Sequence, residues 1–369
     1  MNASGNAGLQ VAEPATTPGR PSVPPSRRAL YLFTGLAIAV VVLAGCSAVM
    51  GQTSISLGEI WASLGRRFNG QTAPNSGAAT IDAVLWTVRW PRLALAGLAG
   101  AALGVAGALM QGAFGNPLAE PGVIGVSSGA AAAASGALVF GAAGVINPWI
   151  TAGAAFAGAL GATFLLYTLS RSGGRTEVVT LVLMGIAVNA VAGAAIAFFT
   201  FMADRTASQE IVFWQMGSLN GTLVEYLWLV GPLVVVGVVA AMGLARQLDL
   251  LSLGERGARH LGVDVERLRI LAALVIALLT AAAVAFCGII AFVGLVVPHL
   301  VRLAVGPGHR LLIPASALGG AVMLLGADLI ARNAVPHADL PIGMLTALVG
   351  GPFFFYLLRR TRRRAGGWA

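Results

Sequence analysis

The chain has 369 residues and a formal net charge of +9, with 57% hydrophobic and only 10% charged side chains. A soluble fold of this length could not hide so much apolar surface, so a globular cytosolic protein is excluded and a polytopic helical membrane protein remains. All 23 Lys and Arg positions are arginine, which excludes a Schiff-base lysine and the lysine of a Walker A loop; any ATPase that drives this chain is a different polypeptide.

Residues 1–26 are rich in Pro, Ser, Ala and Gly, too poor in large apolar side chains to order themselves. Residues 1–28 are therefore expected to be a disordered cytoplasmic tail. Arg27 and Arg28 precede the first apolar run, 29–50. Leu43-Ala44-Gly45-Cys46 resembles a lipoprotein cleavage site. A charged region starting so far in, with nine more apolar segments behind it, reads instead as a first span. The following spans are expected at 91–113, 121–142, 147–170, 177–203, 223–245, 268–287, 288–304, 309–331 and 341–358. Gly100 and Gly104 are four apart, the spacing that lets membrane helices approach closely. The stretch 268–304 is too long for one helix and too short for two full ones, so it is divided at Cys287 and Gly288, and one half should be short or irregular. A basic tail, 359–369, follows the last span.

Ten spans put both termini on one side. With that side cytoplasmic, 17 of the 23 arginines lie inside, and Arg66, Arg67, Arg89, Arg92, Arg205 and Arg332 lie outside. This is the bias that the positive-inside rule requires. It orients a multi-pass protein with both termini cytoplasmic, and the charge of +9 needs no nucleic-acid partner.

Several chemical patterns fail on inspection. Gly125-Val126-Ser127-Ser128-Gly129 matches a nucleophile elbow, but it opens a membrane helix rather than a strand-to-helix turn. His260, His299, His309 and His337 are dispersed and only His337 is expected outside, so no metal site follows. Cys46 and Cys287, the two cysteines, both sit in apolar runs and build no disulfide framework. An ion-coupled secondary transporter would carry ionisable groups near the bilayer midplane. Between the helix ends there are mainly Asn189 and the peripheral Asp328, which disfavours that class.

Residues 89–130 join an Arg-x-Pro-Arg start, a small-residue helix, an exit from Gln111 to Asn116, an NPLAEP turn and a Gly-rich return. Together they resemble the FecCD-type permease subunits of type II ABC importers, which serve iron-siderophores, haem and cobalamin. Segments 288–302 and 326–352 are similar to further family signatures in sequence and order, and the resemblance covers about three quarters of the chain. It implies an all-α permease of about ten spans, working as a homodimer with two cytoplasmic ATPases and one extracytoplasmic binding protein. No cofactor is implied in this chain, ATP being bound by the partner ATPases.

Within 247–269 the family's coupling motif is matched by Leu253, Gly254, Glu255, Ala258, Leu261, Gly262 and Val263. The segment is expected to form two short helices that dock on the ATPase. Arginines at the motif positions of Arg89, Arg92 and Arg332 are implied to dock the binding protein, although Arg332 with Asp328 four residues earlier also reads as a simple helix-end pair. Met202, Trp214, Gln215, Met216 and Asn220 are the candidates to line the path. The cargo implied is a ferric chelate, siderophore or haem, with cobalamin as the alternative.

Overall fold

The computed structural model describes residues 25–51, 53–141, 147–172, 175–176, 178–336 and 338–364. Most of the expected N-terminal tail and His337 lie outside the described residues. Among them the chain is all-helical apart from a ribbon of two two-residue strands, Arg171–Ser172 and Arg175–Thr176.

Eight helices, or continuous helical stretches, are long and apolar enough to cross a membrane. Seven are single helices: α1 (Pro25–Val49), α6 (Pro148–Leu169), α7 (Val178–Met202), α9 (Val224–Leu251), α11 (Val265–Cys287), α13 (His309–Asn333) and α14 (Ile342–Arg364). The eighth is a rod in which α3 (Ser76–Ala83) passes through a π-helical turn, Val84–Arg89, into α4 (Trp90–Ala113). Two shorter apolar helices, α5 (Val126–Phe140) and α12 (Val293–Val305), complete ten segments, each within one of the expected spans or overlapping it. The last four helices lie outside these spans: α2 (Leu57–Phe68), α8 (Arg205–Met216), α10 (Glu255–His260) and the α3 part of the rod.

The connectivity gives the bundle two ends. The basic end carries α10, the N-terminus of α13 and the C-terminus of α4; the far end carries α2, α3 and α8. At the centre stands α4, with 78% of its apolar window buried against 11% for α1. Its neighbours are α9, α11, α12 and α13. Small residues make this packing possible. A methyl group on Gly100 would overlap the carbonyl oxygen of Gly320, one on Gly104 that of Ser316, and one on Gly107 that of Gly294. With no hydrophobic drive between helices in lipid, such backbone-to-backbone approach is the main source of their association. A second close crossing joins α5 and α6 through Gly129 and Gly158.

The chain breaks where the sequence placed a division. Helix α11 ends at Cys287, Gly288 follows with φ +68°, and α12 starts only at Val293 and lasts 13 residues. At this break the backbone bonds to other segments of the chain, as irregular backbone at membrane depth requires. The Ser218 N–H donates to the Cys287 carbonyl (2.8 Å), and the Ile342 N–H donates to the Gly217 carbonyl (2.9 Å). The ends of α8, α11 and α14 are thereby knotted together.

Three readings of the sequence need correction. Segment 247–269 contains one short helix, not two: α9 runs on to Leu251 and α11 begins at Val265, so the long helices absorb most of the segment and leave six residues to α10. The span expected at 121–142 begins with a 3-10 turn, Pro121–Ile124, and its α-helix is only 15 residues long. The basic tail from residue 359 is helical as far as Arg364, as part of α14.

Candidate functional site

At the far end, Arg89 from the π turn, Arg92 from the first turn of α4 and Arg332 from the last turn of α13 converge with the top of α1. Arg92 donates through Nε to Asp328 Oδ1 (2.8 Å) and through Nη1 to Asp339 Oδ2 (2.7 Å). Arg332 Nε pairs with Asp328 Oδ2 at 3.1 Å, and its Nη2 reaches the carbonyl (3.3 Å) and hydroxyl of Ser47. Arg89 donates to the carbonyls of Ala48 and Thr53. The three arginines are 4%, 5% and 8% exposed and Asp328 is 0% exposed. The resemblance implies that they dock the binding protein at the outer face; within the chain they are buried, each engaged by groups of α1, α13 or the loop after it. Bringing a guanidinium out of water requires such partners, and here the partners tie α1, α4 and α13 into one unit. The helix-end pairing of Arg332 with Asp328 is present. Three guanidinium groups face two carboxylates, so the cluster keeps one positive charge in excess.

At the same end of the bundle lie the path candidates, which the structure does not bring into one wall. Met202 lines a cavity of about 340 Å³ together with Leu138, Thr151, Asp204 and Thr206. Trp214 and Asn220 line another of about 260 Å³ with Glu210, Tyr226 and Phe286, and it shares Leu138 and Thr151 with the first. The Gln215 amide bonds back to the Ile211 carbonyl (3.3 Å), and the Met216 carbonyl packs against Gly343 at the start of α14.

At the basic end, the seven motif residues separate by burial. Ala258 is fully buried and Val263 nearly so, while Leu253 and Leu261 are 68% and 58% exposed. Gly254 and Gly262 take φ of +98° and +82°, a region that residues with a Cβ avoid, and they let the chain turn sharply into and out of α10. Glu255 pairs with Arg269 of α11 at 2.5 Å and with Arg259 at 3.5 Å. Asp249, near the end of α9, accepts from the His309 N–H (2.7 Å) and lies 2.8 Å from its Nδ1, so α9 and α13 are joined here. The result is a short lever held at its base by Ala258, Val263 and the ion pair, with two leucines projecting from it.

One partly buried acid of the NPLAEP turn, Glu120, was not counted among the ionisable groups inside the bundle. The segment after α4 turns back into the bundle, so that Pro121 lies against Gly294, which itself packs on Gly107. Gly107 is six residues, about 9 Å, inside the end of α4. This carries Glu120 to the broken end of α12, where its Oε1 accepts the Phe292 N–H at 2.5 Å. Phe292 has φ +67° and is the one non-glycine residue with positive φ among the described residues; its side chain lies against Gly350 of α14. The available signal was Pro117 and Pro121 bracketing an acid ahead of an apolar run interrupted by Gly122 and Gly125. Nearby, the Gln111 amide donates to the carbonyls of Gly294 (3.3 Å) and Leu295 (3.2 Å) and its oxygen accepts from Arg302 (3.0 Å). Ser128 bonds Asn189 at 2.6 Å, which gives the elbow-like sequence a helix-joining role.

Residues 37–360 match the model of the FecCD transport family. The hemin transport system permease protein HmuU of Yersinia pestis is 40% identical over 337 residues, 90% of this chain and 96% of that protein. The cobalamin import system permease protein BtuC of Halobacterium salinarum is 43% identical over 286 residues, 78% of this chain and 76% of the relative. A metal-chelate type ABC transporter solved in an inward-facing conformation superposes with a TM-score of 0.77 at 31% identity, covering 90% of this chain and 99% of that one.

Proposed function

This chain belongs to the FecCD transport family, and we propose that it is the membrane-spanning subunit of an ATP-driven importer that brings a ferric chelate, haem or a siderophore, across the bacterial cytoplasmic membrane. The observation that carries the mechanism is the lever at the basic end: Leu253 and Leu261 stand exposed while Ala258 and Val263 anchor them. Two such chains form the homodimer, with the path between them, and two cytoplasmic ATPases dock on the two levers. The excess of arginines at the basic end sets it in the cytoplasm with both termini. Closure of the ATPases pushes α10, and α9 and α11, whose ends flank it, carry the movement into the bundle. At the opposite face the binding protein delivers cargo over the arginine cluster, reading its excess positive charge through the rim formed by Asp339 and the neighbouring loops.

The haem reading is supported by similarity to a hemin permease over almost the whole of that protein, and the siderophore reading by an iron(3+)-hydroxamate permease of Bacillus subtilis at 38% identity. Cobalamin is the second reading, favoured by the 43% identical archaeal relative. Uptake by proteoliposomes containing this chain, its ATPase and its binding protein, offered labelled haem, ferric siderophore and cobalamin in parallel, tests it. ATP-dependent accumulation of haem or ferric siderophore is expected. Accumulation of cobalamin alone would overturn the cargo, and none of the three would overturn the class.

A further inference from the structure

Helix α2 has an apolar stripe that none of the described residues covers. Leu57, Trp61 and Phe68 are 63%, 72% and 84% exposed. At 100° per residue they fall, with the half-buried Leu64, within an arc of about 60°. The arc next to it holds the helix in place: Ile60 and Ser63 are buried, Ser63 accepts the Trp86 indole N–H at 3.1 Å, and the Arg67 guanidinium lies 5.3 Å from the Trp86 ring. Arg66 pairs with Asp82 of α3 at 2.7 Å. The third side of α2 carries the small residues Gly58, Ala62 and Gly65. A helix fixed this firmly, with its large apolar side chains turned outward, presents a surface built to be covered.

The positions of the tryptophans indicate what covers it. Among the described residues Trp61, Trp86, Trp90, Trp149, Trp214 and Trp228 all lie at the far end of the bundle. Trp149 and Trp228, in the first turns of α6 and α9, are 43% and 79% exposed on helices that cross the membrane. Tryptophan collects at the level of the lipid headgroups, where its ring is half in hydrocarbon and its N–H meets water. Trp61 continues this belt, and α2 is linked by only a few residues to α1, the barest of the long helices.

We propose that α2 is an interfacial helix whose Leu57–Trp61–Phe68 stripe lies in the outer-leaflet headgroup layer, its occupant being lipid rather than a protein partner. Such helices sink their apolar face about 5–10 Å into the boundary between headgroups and chains. The consequence is a fixed height for the π turn and Arg89, which stand on the same scaffold.

The test is nitroxide accessibility in the full chain, in nanodiscs of phosphatidylethanolamine and phosphatidylglycerol, with Cys46 and Cys287 replaced by alanine. Labels are placed one at a time at Trp61→Cys, Phe68→Cys and, on the small-residue side, Ala62→Cys. Labels at 61 and 68 should relax severalfold more with oxygen than with a water-soluble nickel chelate, and the label at 62 the reverse. Addition of the binding protein should change neither pattern. Equal chelate access at all three positions would overturn the proposal, and so would shielding at 61 and 68 that appears only with the binding protein. Retained stimulation of ATPase by each labelled chain in the assembled complex shows that the fold is intact.

Discussion

Asp328 has no exposure, accepts from Arg92 and is ion-paired with Arg332, so one carboxylate holds two guanidinium groups inside the far end. Removing one partner of a buried pair costs about 3–5 kcal/mol, because the other charge stays buried without compensation. Asp328→Ala should therefore lower the thermal midpoint of the purified permease and reduce the yield of folded protein. A chain of wild-type stability would show that the cluster is not structural. Arg92→Glu, which puts a third carboxylate beside Asp328 and Asp339, should fail in the same assay before uptake can be measured. The arginine positions were legible in the sequence as charges needing a reason. Their burial was not, since the partners come from residues 47, 48, 53, 328 and 339, brought together only by the packing of α1 and α13 on α4.

Helices were readable where hydropathy alone decides them and unreadable where it does not. The break at Gly288 could be found because a length rule forbids a single span there. Helices α2, α3 and α8 could not, because their stability comes from caps and tertiary contacts rather than from an apolar run. Helix α2 opens on a capping box: the Ser56 N–H and hydroxyl donate to Glu59 Oε2 (2.8 and 2.7 Å), and the Glu59 N–H donates to Ser56 Oγ (3.3 Å). These bonds hold the Glu59 carboxyl below the ordinary carboxylate range. A depressed pKa stabilises the cap above the pKa of the unfolded chain, and that contribution disappears as the pH falls through the folded value. The protection factor of the amides at the start of α2, the observed exchange rate set against the intrinsic rate at the same pH, should thus be high at neutral pH and fall in acid, and Glu59→Ala should show the low protection already at neutral pH. A protection factor that does not change with pH in the native chain would remove the cap from the account. The α4–α13 crossing is equally local. Gly320→Val would drive a branched side chain into the Gly100 carbonyl, a strain of about 1–3 kcal/mol or more, visible as a lower melting temperature. An unchanged temperature would mean that the two helices can part at no cost.

Across the whole molecule the two ends are mechanically related through α13, which takes Asp249 at its first residue and offers Asp328 and Arg332 near its last. The lever at the basic end can be tested without disturbing that rod. Leu253→Glu with Leu261→Glu changes only exposed side chains, so the permease should remain folded while the ATPase dissociates on size exclusion. Retention of the ATPase would relocate the docking surface. The residues proposed for coupling were the easiest to place, being contiguous in sequence, although the segment holds one short helix and not two. Glu120 was the least legible, because a loop that leaves a helix and re-enters the bundle looks like any polar turn until Gly107, Gly294 and Pro121 are seen in contact.

The shortness of α12 also has a consequence for how the chain is made. Thirteen residues give a helix of about 20 Å, well under the length of about 20 residues that a nascent segment needs to be recognised as spanning. During synthesis α12 should not leave the translocon into lipid alone; it has to wait for α13, whose residues Gly319 and Ser316 face α12 and α4. Chains truncated after residue 305 should adopt mixed topologies around α12 in a glycosylation-reporter assay, and chains extended through residue 333 should insert uniformly. Uniform insertion of the shorter chain would show that α11 can draw α12 in without help.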